Sequence, residues 1–291
     1  MGFCSLGKNP YSESGDYRLP KNMHQDAGHP RTAAGQSPTV IRVIIMAAVA
    51  MAVIDGIVVG IALPTITKAF SVDVVQSQWI FTAYLVTETS LLLIFGRVSE
   101  FTGKNRLFLA GLVLFTTSSL ACGLSSSLWD LVVYRVLQAG GSAMIFSICV
   151  AILYETSGQG EQGRVMSYIW TTTAVAAIAA PLLGGIVTGS LGWQYIFLIN
   201  VPIGVASIIL FIYFSPPEGG PAKDFSMDWP GAAALVAFLA FLVLSLEEIS
   251  SGRTLSPGTL FLLCLAALTF ILFILAERKD PRPLVDISLF R

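Results

Sequence analysis

At 291 residues, with 54% hydrophobic residues, only 12% charged residues and a mean hydropathy of +0.74, the chain is too apolar for a soluble domain. A net charge of −1 says little by itself, because in a membrane protein the placement of positive charge matters more than its sum. Integral membrane residence is expected, with the lipid bilayer as the first partner and no nucleic-acid partner. Cys4, Cys122, Cys149 and Cys264 lie far apart and three of them fall inside apolar runs, so they read as small hydrophobes rather than as a disulfide framework or zinc ligands. His24 and His29 stand in a polar region without a partner cluster, and neither a metal nor a cofactor is expected.

Residues 1–40 are polar, rich in Gly, Pro and Ser, and contain no apolar core ahead of a cleavage site, so they read as a disordered tail without a signal peptide. Beyond them, a window of about 19 residues, long enough to cross roughly 30 Å of hydrocarbon, finds eight candidate spans. Their approximate limits are 43–66, 78–96, 106–123, 128–153, 165–189, 194–214, 230–247 and 257–276. Backbone polar groups in lipid must be satisfied within the segment, so the spans are helices and the fold is all-α, a polytopic membrane helix bundle. Residues 215–229 form the longest connection, rich in Pro and Gly. They divide a six-helix bundle (41–214) from a two-helix hairpin (230–276), with Trp229 as an interfacial anchor. Residues 277–291 resemble the run-up to a further span.

Lys and Arg are unevenly shared between the two ends of these spans. With the tail in the cytoplasm, that side collects Arg42, Arg97, Lys104, Arg106, Arg164, Lys223, Arg278, Lys279 and others, against Lys68 and Arg253 on the far side. Both termini are therefore expected inside, and the membrane is expected to be the plasma membrane.

Asp55 lies near the centre of helix 1, where an acid costs about 2.5–3.5 kcal/mol on insertion scales, so it should face a cavity or a partner. Two readings fit it: a proton-exchanging carboxyl, or a polar residue bonded to a neighbouring helix. Gly56, Gly60 and Pro64 follow at four-residue intervals, a pattern that makes a smooth face for helix contact, and Pro64 frees a carbonyl. Glu88 is a second mid-membrane acid, near the centre of helix 2, with Thr87, Thr89 and Ser90 beside it to share hydrogen bonds. Two acids at similar depth suggest a proton or cation site; the alternative is a protonated Glu bonded to a helix carbonyl.

The stretch Gly96-Arg97-Val98-Ser99-Glu100-Phe101-Thr102-Gly103-Lys104-Asn105-Arg106 is a polar island between two apolar runs. It is expected to be a turn from the end of helix 2 to the start of helix 3, with Gly96 and Gly103 bending the chain and Glu100 pairing with Arg97, Lys104 or Arg106. In helix 4, Arg135 cannot shed its proton and must find a carboxylate, carbonyls or water, or else snorkel to the interface. Gln138 is one turn on, and Gly140 opens a run of small residues that permits close helix approach. Helix 5 carries two ridges of small residues, Ala176, Ala180, Gly184, Thr188 and Ala177, Pro181, Gly185, Gly189, suited to pressing against other helices. Pro181 removes a backbone donor there.

Taken together, these residues resemble the amino-terminal part of a major facilitator superfamily transporter of the fourteen-helix drug:proton antiporter branch. Four stretches carry the resemblance, in order: Asp55 to Pro64 in helix 1, the island from Gly96 to Arg106, Arg135 with Gln138 and Gly140 in helix 4, and Pro181 with Gly184 and Gly185 in helix 5. The run Gly192-Trp193-Gln194-Tyr195-Ile196-Phe197-Leu198-Ile199-Asn200-Val201-Pro202 is also typical of the branch. There are departures. Glu100 stands where the family usually has Asp; Ile57 and Gly60 replace a usual Thr and Asn; Ala176 and Ala180 replace glycines of the antiporter motif; Glu88 lies outside the common pattern.

The resemblance implies proton-coupled efflux of lipophilic or cationic small molecules by alternating access. Asp55 or Glu88 would carry the proton, Arg135 would sense it, and the island would act as a gate whose acid is held near a helix end of a second bundle. That bundle, or a homo-oligomer, is the expected protein partner. A metabolite symporter or exporter of the same superfamily and a non-transporting membrane fragment or scaffold remain as alternative readings. No nucleophile and base pair, phosphate loop or metal cluster points to an enzyme.

Overall fold

The apolar runs close their backbone hydrogen bonds locally, as lipid requires, and in the computed structural model helices joined by short turns make up the described residues, 38–157, 160–215, 229–250 and 256–277. In chain order the helices are α1 (Pro38–Phe70), α2 (Val74–Thr102), α3 (Lys104–Gly123), α4 (Leu128–Glu155), α5 (Gln162–Ser190), α6 (Tyr195–Leu198), α7 (Asn200–Phe214), α8 (Trp229–Ser250) and α9 (Pro257–Glu277). Short α6 and α7 share one span, so eight helical spans among the described residues are long and apolar enough to cross a membrane. The expected tail, most of the 215–229 connection and the run-up after 277 lie outside the described residues, as does the side chain of Trp229.

The helices run longer than the hydropathy limits. The largest difference is at the polar island, where the expected turn from Gly96 to Arg106 shrinks to one residue. α2 continues through Gly96 to Thr102, only Gly103 (φ 92°) is non-helical, and α3 starts at Lys104. The polar residues extend the helix because their side chains satisfy one another along its face. Arg97 pairs with Glu100 one turn on at 3.1 Å, and the Ser99 and Thr102 hydroxyls donate back to the carbonyls of Gly96 and Val98. Gly96 is thus a helical residue, and the bend belongs to Gly103 alone. At the other end of α2, Asp73 and Gln76 form a capping box.

α3 and α4 pack on each other, α4 also packs on α2, α1 on α5, and α7 on α3 and α1. The α3–α4 crossing depends on Gly111 and Gly141: a methyl group at Gly141 would lie 2.6 Å from the Phe115 nitrogen, and one at Gly111 would lie 2.8 Å from Met144 Cβ. α8 and α9 pack as a hairpin, with α8 also against α2. Two apolar layers fill the bundle. One contains Ile45, Ala48, Phe108, Phe115, Ile148 and Phe211; the other contains Val59, Ile66, Ile80, Leu131, Trp193 and Phe197. Along α1, α3 and α4 the stretch between these layers is where the polar residues fall, including Asp55, Ser119, Arg135 and Gln138.

A buried ionic cluster as the candidate functional site

Asp55 and Arg135 are both fully buried, so neither is solvated and each must be paid for by a partner inside the protein. They find each other: Arg135 Nη1 donates to Asp55 Oδ2 at 2.5 Å. The second carboxylate oxygen, Oδ1, accepts from Gln138 Nε2 at 3.0 Å and from Asn200 Nδ2 at 2.8 Å. Gln138 is the hub, because its carbonyl also accepts from Arg135 Nη1 at 2.7 Å and its amide donates to Ser119 Oγ at 2.6 Å. Helices α1, α3, α4 and α7 are thereby tied through one network of charge-assisted hydrogen bonds. The guanidinium also lies over the Tyr84 ring of α2, with Cζ 3.8 Å from the ring centroid, a cation–π contact in a desolvated setting.

The burial of Arg135 rules out the snorkelling alternative. Asp55 is sealed inside the bundle against its partners rather than presented to a cavity. Gln138, expected as a packing residue, instead carries hydrogen bonds. The sequence reading missed Asn200, Ser119 and Tyr84. A lone Asn in an otherwise apolar span was the available signal for Asn200, whereas nothing distinguishes Ser119 from the serines around it.

Glu88 occupies a different setting. It is partly buried and accepts from Ser142 Oγ at 2.5 Å, across from α4. Thr89, expected to share its hydrogen bonding, donates instead to the carbonyls of Leu85 and Val86 in its own helix. Glu88 lines a groove of about 460 Å³ with Gly56, Ile57, Phe81, Tyr84 and Phe146. It also lines a neighbouring one of about 560 Å³ that reaches Gly96. Tyr84 therefore stands between the two acids, with its ring against Arg135 and its edge on the groove that holds Glu88.

The remaining expected residues divide by surroundings. Gly184, with Ala176 and Ala180, is buried against α1, where a methyl group on Gly184 would collide with Val58. The second ridge, Pro181 and Gly185, is exposed, as are Gly60 and Pro64 on α1, and a methyl group at Gly60 or Gly185 would meet nothing within 4 Å. Gly56 faces Tyr84 and Gly140 faces Leu114 at ordinary contact distances. At the basic end of the bundle, Lys104 pairs with Glu155 of α4 rather than with Glu100, and Arg106 is exposed. Arg42 there donates to the Thr156 carbonyl at 2.6 Å and lies 3.6 Å from Glu161, joining the start of α1 to the α4–α5 connection. Among the described residues, no three His, Cys, Asp or Glu side chains gather where a metal ion could be held.

Comparison with known proteins gives these residues a family. The profile of the Major Facilitator Superfamily matches residues 45–287. The riboflavin transporter RibZ of Clostridioides difficile is 30% identical over 252 residues, covering 87% of this chain and 54% of RibZ. Multidrug resistance protein 3 of Bacillus subtilis is 28% identical over 265 residues, covering 89% of this chain and 51% of that protein. The chain thus spans about half the length of the curated relatives it matches. In fold it is similar to PepTSo, a POT family transporter, with a TM-score of 0.56 at 16% identity over 84% of this chain and 55% of that one. The multidrug relatives agree with the drug:proton antiporter branch that the motifs resemble. Eight apolar spans, a matching fold and a profile match over most of its length place this chain in the major facilitator superfamily.

Proposed function

We propose that the chain supplies the charged core of a proton-coupled exporter of lipophilic or cationic small molecules. The observation that carries this reading is the fully buried Asp55–Arg135 pair at the junction of α1, α3, α4 and α7. A proton delivered to Asp55 cancels the charge that holds Arg135. The hydrogen bonds of Gln138 and Asn200 must then rearrange, which links a protonation event to the packing of four helices. Glu88 takes the other role. Its carboxylate lies on a groove wall beside Phe81, Tyr84 and Phe146, a combination of charge and aromatic surface suited to an organic cation.

Arg42, Arg97, Lys104, Arg106 and Arg164 support a cytoplasmic position for their end of the bundle, with both termini inside a plasma membrane. The exposed ridge of Pro181 and Gly185 supports packing against a second bundle or another copy of the chain. The Arg97–Glu100 helix end with Gly103 then serves as the gating element at that side. Substitution of Ala176 and Ala180 for motif glycines, together with the similarity to a riboflavin transporter, favours export or symport of a metabolite as the second reading.

The test is dye accumulation in efflux-deficient bacteria expressing the intact gene that encodes these residues. Ethidium should accumulate less than in empty-vector cells, Asp55→Asn should abolish the difference, and Glu88→Gln should diminish it for cations. Ethidium levels equal to empty vector, with riboflavin movement altered instead, would replace the export reading with the metabolite one. Full activity in Asp55→Asn would remove the buried pair from the mechanism.

A further inference from the structure

At the end of the bundle opposite the basic cluster, the first turns of α2 and the last turns of α8, with Leu262 of α9, line a half-open cavity of about 530 Å³. Its wall includes Gln78, Trp79 and Thr82 of α2 and Glu247 and Glu248 of α8. It is separate from the Asp55 cluster and from the grooves that contain Glu88, with which it shares no lining residue. Among the described residues, Glu247 forms no ion pair or hydrogen bond, and neither does the Gln78 amide. Thr82 is only 4% exposed, and its hydroxyl makes no hydrogen bond among the described residues. A partly buried carboxylate without a partner, on a helix that spans a membrane, is costly unless something else satisfies it.

We infer that this cavity binds an amphiphilic organic cation. The charge of the ligand is set by Glu247, with Glu248 adding to the same wall. Its hydrogen-bonding capacity is set by Gln78 and Thr82, and its apolar body by Trp79, whose face attracts a cation, and by Val75, Leu244 and Leu262. A bare metal ion fits poorly, because hard cations demand six or so oxygen ligands and this wall is largely apolar. Binding here does not depend on whether Asp55 and Glu88 carry transport, so the two ideas fail separately.

Tetraphenylphosphonium is the probe, measured by equilibrium dialysis against the purified chain in nanodiscs of phosphatidylglycerol. Saturable binding is expected, and Glu247→Gln should weaken it by about tenfold while Glu247→Asp retains it, the separation expected when the charge and not the side-chain length holds the ligand. Trp79→Leu should weaken it several-fold, and Glu88→Gln should leave the Glu247-dependent component unchanged. Variants are compared only where their melting temperatures match wild type, and the Asp variant guards against a folding artefact. Wild-type affinity in both Glu247→Gln and Trp79→Leu overturns the site. Loss of binding in Glu88→Gln with none in Glu247→Gln moves the cation to the Glu88 groove and also overturns it. Competition by phosphatidylethanolamine at membrane levels would make the occupant a lipid headgroup and overturn the assignment to a free cation.

Discussion

Arg135 and Asp55, 80 positions apart in sequence, meet as a hydrogen-bonded ion pair with neither side chain exposed. Removing one member of such a pair leaves the other charged and buried, whereas removing both leaves no stranded charge. Asp55→Ala and Arg135→Met should each cost about 3–5 kcal/mol, and the double variant should recover most of that loss. Thermal unfolding of the four proteins of this cycle in one detergent reads the coupling directly. Losses that simply add would mean that the pair does not hold α1 to α4.

Gly96 and Gly103 stand seven residues apart and look alike in sequence, yet one is helical and the other has φ 92°. Opposite effects of the same substitution follow. Gly96→Ala has open space around the new methyl group and should stabilise by about 0.5–1 kcal/mol, since alanine loses less backbone entropy in a helix. Gly103→Ala forces a side chain into a conformation that L residues rarely adopt and should destabilise by about 1–3 kcal/mol. Melting temperatures that moved in the same direction would contradict the one-residue connection between α2 and α3.

Small residues on the helices differ in the same way by what faces them. Gly141→Val places methyl groups against the Phe115 backbone, where no rotamer change can make room, and overpacking of this kind costs about 1–3 kcal/mol or separates α3 from α4. Gly60→Val meets open space and should leave the melting temperature of this chain unchanged. Expression level and unfolding of the two variants in parallel check the contrast. Equal sensitivity would mean that Gly60 has a protein neighbour in the membrane.

The eight spans were legible because apolar runs of membrane length have few other uses, and Asp55, Glu88 and Arg135 stood out as charges inside them. Helix ends were not legible at the island. Hydropathy treats Arg97 and Glu100 as loop residues, while the helix accepts them as an i,i+3 pair in water. Partnerships were harder still, since nothing in the local pattern says that Asp55 will meet Asn200, 145 positions away, or that Glu88 will be held by Ser142. The two small ridges of helix 5 read as equivalent, but only the one containing Gly184 meets α1. Which ridge is covered depends on how the helix is rotated, and tertiary packing decides that.

Tyr84 joins the buried pair to the Glu88 groove, and its ring and its hydroxyl make separable contributions. The ring lies 3.8 Å beneath the Arg135 carbon, where desolvation strengthens the attraction between guanidinium and π face. Tyr84→Phe keeps that face and removes only a buried hydroxyl that has no hydrogen-bond partner among the described residues, so it should stay within about 1 kcal/mol of wild type. Tyr84→Leu keeps much of the apolar volume but loses the quadrupole, leaving the buried guanidinium dependent on Asp55 and Gln138, and should cost about 2 kcal/mol. Combining Tyr84→Leu with Arg135→Met separates packing from charge. If the leucine penalty vanishes in the methionine background, the ring acts on the cation; if it persists unchanged, Tyr84 acts only as a filler between α2 and α4, and the connection from Arg135 to the groove fails.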